Sequence, residues 1–102
     1  MVIELLKFKV PGELRETFIQ KDEEIWSSAL SKYPGFLGKE VWINPDDFTE
    51  VLIVVRWQNR ELWKAIPEEK INAVSQEFDN SLGFEYQMLA VSEYQVRKYS
   101  QI

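Results

Sequence analysis

Asp22 is the residue whose type and position most invite chemistry. At about 100° per residue it falls mid-stripe on a helix, with Phe18, Ile19, Ile25 and Trp26 three and four positions away. A carboxylate on a buried face is costly unless paired, so it is either satisfied or used. If used, Asp22 is a catalytic general base whose pKa burial raises. If satisfied, it bonds Arg15, an indole N–H or a tyrosine; Arg15 lies seven positions earlier on nearly the same line, and Tyr33 further along it.

Four tryptophans, Trp26, Trp42, Trp57 and Trp63, are the next feature. Tryptophans at strand ends and on facing helices can wall a flat apolar pocket and offer N–H donors to a ligand. Trp57, Trp26 and Trp63, with Arg15 and Tyr33, are therefore the expected ligand-binding residues, against the plainer reading that they fill a small core. Arg56 shares a strand face with Leu52 and Val54, and Glu4 shares one with Leu6 and Phe8. An Arg56–Glu4 ion pair is expected on the outer side of the sheet. Glu23-Glu24 and Glu68-Glu69 read as solvated helix faces, and Asp46-Asp47 as turn chemistry rather than a metal site.

Composition narrows the field. Twelve Lys+Arg against seventeen Asp+Glu give a net charge of −5, which argues against non-specific nucleic-acid binding. The longest purely apolar run is Val51 to Val55, far short of a membrane span. Glu4 early and Lys7 and Lys9 late invert the charge order of a signal peptide, so a cytoplasmic location is expected. The chain has no cysteine and no histidine. That removes disulfides, thiolate metal sites, Ser–His–Asp triads and histidine-ligated haem. No metal and no cofactor are expected.

The elements that must position these residues follow from periodicity. Val2 to Val10 reads as a strand ended by Pro11-Gly12. Glu13 to Lys32 reads as a helix with acidic residues early and a lysine late, stopped by Tyr33-Pro34-Gly35. Phe36 to Ile43 and Thr49 to Trp57 read as strands joined by Asn44-Pro45-Asp46-Asp47. Asn59 is the expected N-cap of a helix that Pro67 interrupts. A second segment runs from Glu68 to the Gly83 cap, and the last strand lies within Phe84 to Tyr99, with Tyr86, Met88, Ala90, Tyr94 and Val96 on one side.

The order β-α-β-β-α-β over residues 1–102 predicts a single ferredoxin-like α+β domain: a four-stranded antiparallel sheet with its helices on one face. The aliphatic run in the third strand points side chains to both faces, so a second copy of the chain is expected to cover the open one.

Tyr33-Pro34-Gly35-Phe36-Leu37-Gly38-Lys39-Glu40, Val55-Arg56-Trp57 and Asn59-Arg60-Glu61-Leu62-Trp63 resemble the dimeric α+β-barrel superfamily. More narrowly they resemble its antibiotic-biosynthesis-monooxygenase-like branch, and within it a small family of cyanobacterial type. The resemblance implies a homodimer with facing sheets and a ligand cavity between sheet and helices in each subunit. Trp57 matches a tryptophan that lines the cavity in several oxygenases and haem-degrading members. The latter also need a histidine on the second helix, which this chain lacks. The functional expectation is a cofactor-independent monooxygenase acting on a small aromatic or polycyclic ligand. The alternative is a non-catalytic dimeric barrel that binds a small hydrophobic ligand or serves in interactions.

Overall fold

The computed structural model describes residues 1–101. Strand β1 (Val2–Lys9) lies at the centre, between β3 (Asp47–Trp57) and β4 (Gln87–Gln95), and β2 (Phe36–Asn44) completes the sheet outside β3. All pairings are antiparallel in the order β2-β3-β1-β4, the ferredoxin-like arrangement that the element order predicts. The strongly β-branched stretch of β3 sits centrally, where both sheet neighbours hold it.

From Arg15 to Leu30 the first helical connection is continuous, as expected, but its winding changes along its length. A single 3₁₀ turn (Gly12–Leu14) leads into α1 (Arg15–Lys21), a π-helical stretch covers Asp22–Ser27, and α2 (Ser28–Leu30) closes the connection. The second connection follows expectation. Asn59 accepts the Leu62 N–H at 2.8 Å to cap α3 (Arg60–Lys64), Pro67 separates it from α4 (Glu68–Leu82), and Gly83 ends α4 in the left-handed region.

Both helical connections pack on one face of the sheet. Phe18 stands in the middle of this core, with ring centroids 5.3–5.4 Å from those of Phe8, Phe78 and Tyr86. From the sheet, Val51, Ile53, Val55 and Trp57 point into the same core. The intervening residues Leu52, Val54 and Arg56 occupy the opposite face, because side chains alternate along a strand. Val54 is 1% exposed there yet lies outside the core cluster, while Trp42 and Tyr94 on the flanking strands are exposed.

Two bulges reset the alternation. In β2 an extra residue, Leu37, falls between the pairs Phe36↔Trp57 and Gly38↔Arg56. In β4 the extra residue is Leu89, between the partners of Phe8 and Lys7. The second bulge corrects the expectation that Tyr86, Met88, Ala90 and Tyr94 share one side. Tyr86 and Met88 face the helices, whereas Ala90 and Tyr94, past the bulge, face away. Among the described residues no helix is long and apolar enough to cross a membrane.

Candidate functional site

Between the sheet and the helices lies a cavity of about 740 Å³, inside the ~300–1,000 Å³ range of small-molecule sites. Its walls are mostly apolar: Leu6, Phe8, Ile53 and Val55 from the sheet, Trp26 and Ile71 from the helices, and Ile66 from the turn between α3 and α4. Several charged groups are set among them.

Glu4 reaches the cavity because β1 alternates strictly, so Val2, Glu4, Leu6 and Phe8 share the helix-facing side. Its Oε1 accepts the Trp57 indole N–H at 3.1 Å. Trp57 itself is 1% exposed, stacks almost parallel to Trp63 at a centroid separation of 6.3 Å, and meets Phe36 edge-on. The expected Arg56–Glu4 pair is thereby corrected. Arg56 lies on the other side of the sheet and pairs there with Glu40 at 2.7 and 3.0 Å. The sheet puts the two side chains on opposite faces, because Arg56 pairs with Ile3 and Glu4 with Val55.

Asp22 opens the π-helical stretch and is 4% exposed. Its Oδ2 accepts from the Lys39 ammonium at 2.5 Å, and Lys39 also donates to the Ser27 hydroxyl at 3.2 Å. Lys39 arrives from β2 because the Leu37 bulge turns it to the same side as Phe36. Both side chains of the pair are 5% exposed. An ammonium has three N–H donors, so one remains for a ligand oxygen.

Burial pushes the carboxyls of both Asp22 and Glu4 above the ordinary carboxylate range. For Asp22 the Lys39 ammonium pulls the other way, and for Glu4 the Trp57 indole does so first, then the charges of Lys64 and Lys39. Glu93 faces Glu4 directly across β1 and β4, and Arg60 neutralises it at 2.9 Å. Lys64 sits over the Trp63 ring at 4.1 Å.

Of the residues expected from sequence, Asp22, Trp57, Trp26 and Trp63 all line this cavity. Arg15 and Tyr33 do not. The Arg15 guanidinium lies over the Phe48 ring at 5.5 Å and its Nε contacts Glu16, while half-buried Tyr33 sits in the turn before β2. Asp22 is thus a paired carboxylate, but its partner is Lys39 rather than Arg15, an indole or a tyrosine. Lys39 and Glu4 are the two least exposed charged groups of the cavity, beside Asp22, that the sequence does not place there; Lys64, Glu68 and Glu93 also reach its lining. Gly38, inside an otherwise regular strand pattern, was the available sign of the bulge that delivers Lys39. Among the described residues no group of three or more His, Cys, Asp or Glu side chains converges to hold a metal ion.

A family model described as antibiotic biosynthesis monooxygenase matches residues 1–80. Among solved structures, the chain is similar to a variant of SnoaB, a cofactor-independent oxygenase from Streptomyces nogalater, at 13% identity and a TM-score of 0.72. That match covers 96% of this chain and 94% of the other. A candidate antibiotic biosynthesis monooxygenase from Deinococcus radiodurans is similar at 17% identity and a TM-score of 0.68, covering 100% and 98% of the two chains. One from Chloroflexus aurantiacus is similar at 19% identity and 0.66, covering 97% and 96%. No curated protein matches the sequence.

Proposed function

The chain belongs to the antibiotic biosynthesis monooxygenase family, and on that premise we propose that its cavity binds a flat aromatic or polycyclic substrate and oxygenates it without a cofactor. One observation carries the reading: a roomy, aromatic-walled cavity into which a buried carboxylate, a half-buried one and a buried ammonium converge. Half-buried Trp63 and Trp26 supply flat apolar surface for rings, with Trp57 packed behind Trp63. The free N–H of Lys39 supports a developing oxyanion on the substrate, with Asp22 holding the ammonium in place.

The chemistry this arrangement suits is deprotonation of an acidic substrate C–H or O–H by a cavity carboxylate. The resulting anion gives one electron to dissolved oxygen, the radical pair joins into a peroxide, and loss of water leaves a new carbonyl. For the test compound anthrone, one molecule and one dioxygen become anthraquinone and one water. A dry pocket protects the anion from reprotonation by bulk water. That SnoaB, of similar fold, is a cofactor-independent oxygenase supports the same reading.

Oxygen uptake with anthrone is the direct measurement. Uptake above the buffer rate, lost when the cavity is filled by Val55→Trp, is the expected result. Quenching of tryptophan fluorescence by the ring system without any uptake instead favours the non-catalytic ligand-binding alternative.

The reading includes a homodimer built through the outer sheet face. Support comes from the apolar strip of Leu5, Leu52 and Val54, bordered by exposed Trp42 and Tyr94 and by the Arg56–Glu40 pair. A partner's sheet would remove the half-buried Leu5 and Leu52 and the exposed Trp42 and Tyr94 from water, over an already buried Val54. Sedimentation at micromolar concentration is expected to give twice the chain mass. Val54→Lys, which puts an ammonium into the middle of the strip, is expected to give monomer or unfolded chain. A folded wild-type monomer at that concentration refutes the dimer.

A further inference from the structure

We infer that Glu4, aimed by the Trp57 indole, is the group that takes the substrate proton, and that the Asp22–Lys39 pair is a fixed charge facing it. The inference rests on the oxygenase reading above.

The assignment comes from what each cavity carboxylate already touches. Asp22 is in direct contact with an ammonium, and Glu93 is in direct contact with a guanidinium. An oxygen engaged by a cation holds its electron pairs there and accepts a substrate proton poorly. Glu68, at the start of α4, is exposed to water. Glu4 differs from all three. Among the described residues no lysine or arginine lies within ion-pair distance of it. Its one side-chain partner is the neutral N–H of Trp57, which engages Oε1 and leaves Oε2 for the cavity.

The surroundings fit that role. Around Glu4 stand Trp57 from β3, Lys39 from β2, Lys64 from α3, Glu93 from β4 and Asp22 from the π-helical stretch. Lys39 and Lys64 act on Glu4 at a distance and do not cap it. Burial moves its carboxyl upward from the usual range, the direction that makes a base effective close to neutral pH. Trp57 then has one task here: its N–H fixes the orientation of the base. Glu4 removes the proton, the electron pair stays on the substrate as an enolate or phenolate facing Lys39, and Glu4 returns the proton to the peroxide as water leaves.

Proton transfer can be read apart from oxygen chemistry. Under anaerobic conditions in D2O, exchange of the anthrone methylene protons follows by NMR. Wild-type protein is expected to speed this exchange, and Glu4→Gln to slow it by roughly 10²–10⁴-fold, the usual size of a general-base contribution. Glu4→Gln keeps an acceptor for the indole, so tryptophan quenching by 1,8-dihydroxyanthraquinone is expected to stay at the wild-type affinity.

Trp57→Phe provides the second arm. Without the N–H that lowers the Glu4 pKa, the acid limb of the exchange–pH profile should move to higher pH. Glu4→Gln exchanging within tenfold of wild type, an acid limb unmoved in Trp57→Phe, or no exchange by wild type overturns the assignment. Wild-type exchange lost in Glu4→Gln, but with no oxygen uptake in air, upholds Glu4 and refutes the oxygenase reading. Oxygen uptake by wild type with full exchange in Glu4→Gln does the reverse.

Discussion

Asp22→Asn is expected to destabilise the protein by about 3–5 kcal/mol, the usual penalty for leaving one member of a buried ion pair uncompensated. For a domain of this size that is a fall in melting temperature on the order of 10–30 °C. The sign turns on Lys39. Taken alone, a desolvated carboxylate costs free energy, and its amide replacement would gain some back. The Lys39 ammonium, 5% exposed, would then face a neutral amide with no compensating charge.

Three results bear on this. Melting curves at neutral pH give the size of the loss. Lys39→Met combined with Asp22→Asn removes both charges together, and that double variant should recover much of it, since the coupling between two contacting groups is what the cycle measures. A near-neutral Asp22→Asn whose turnover nevertheless collapses would instead make Asp22 the base. The pH dependence has a definite direction as well. Glu4 is raised in the folded state, so it contributes stability fully below its ordinary value, 4.5, and loses it as pH rises through its folded pKa. Glu40 and Asp47, held low by Arg56 and Thr49, act in the opposite direction at acid pH.

Much of this site is legible in the sequence. The hydrophobic stripe identified Asp22 as a buried carboxylate, and the end of the strongest strand identified Trp57 as a wall residue. The element order, the Asn59 cap and the Gly83 stop follow from local chemistry alone. What escaped did so for two physical reasons. Period-two reasoning assumes an unbroken ladder, and the Leu37 and Leu89 bulges each shift the pattern by one. Lys39 therefore hid among residues that alternation from Phe36 sends to the outer face.

The second reason concerns partners rather than faces. Alternation groups Glu4 with Leu6 and Phe8, as the sheet does, but a charged residue on an apolar strand invites a search for the nearest opposite charge. Arg56 is close along the chain pairing and yet on the other side of the sheet. The actual partner is a neutral indole on the same face. Periodicity at about 100° per residue also blurs where the π-helical stretch begins, since its wider turn shifts which residues align beyond Asp22. Even so, Asp22 itself starts that stretch and keeps its inward position.

Trp57→Ala is expected to cost about 3–5 kcal/mol, the range for truncating a fully buried large aromatic. The indole is enclosed by Phe36 edge-on and Trp63 in parallel, so neither neighbour can collapse far into the space it leaves. The loss also strips Glu4 of its N–H partner within a low-dielectric wall, which adds the penalty of an unsatisfied buried group. Trp57→Phe separates the two parts. A phenyl ring keeps most of the packing against Phe36 and Trp63, while the hydrogen bond to Glu4 is gone. The packing contribution is thus the difference between the two variants, and the remaining deficit of Trp57→Phe belongs to Glu4. That deficit should shrink as the pH is lowered through the Glu4 titration, because a protonated carboxyl needs the indole less. It should vanish in the Glu4→Gln background if the indole acts mainly on the carboxylate charge. Denaturant midpoints for Trp57→Ala, Trp57→Phe and the double variant, taken at acid and neutral pH, are the measurement. A Trp57→Phe deficit independent of pH would show that Trp57 stabilises by shape alone and leaves Glu4 to be oriented by the strand.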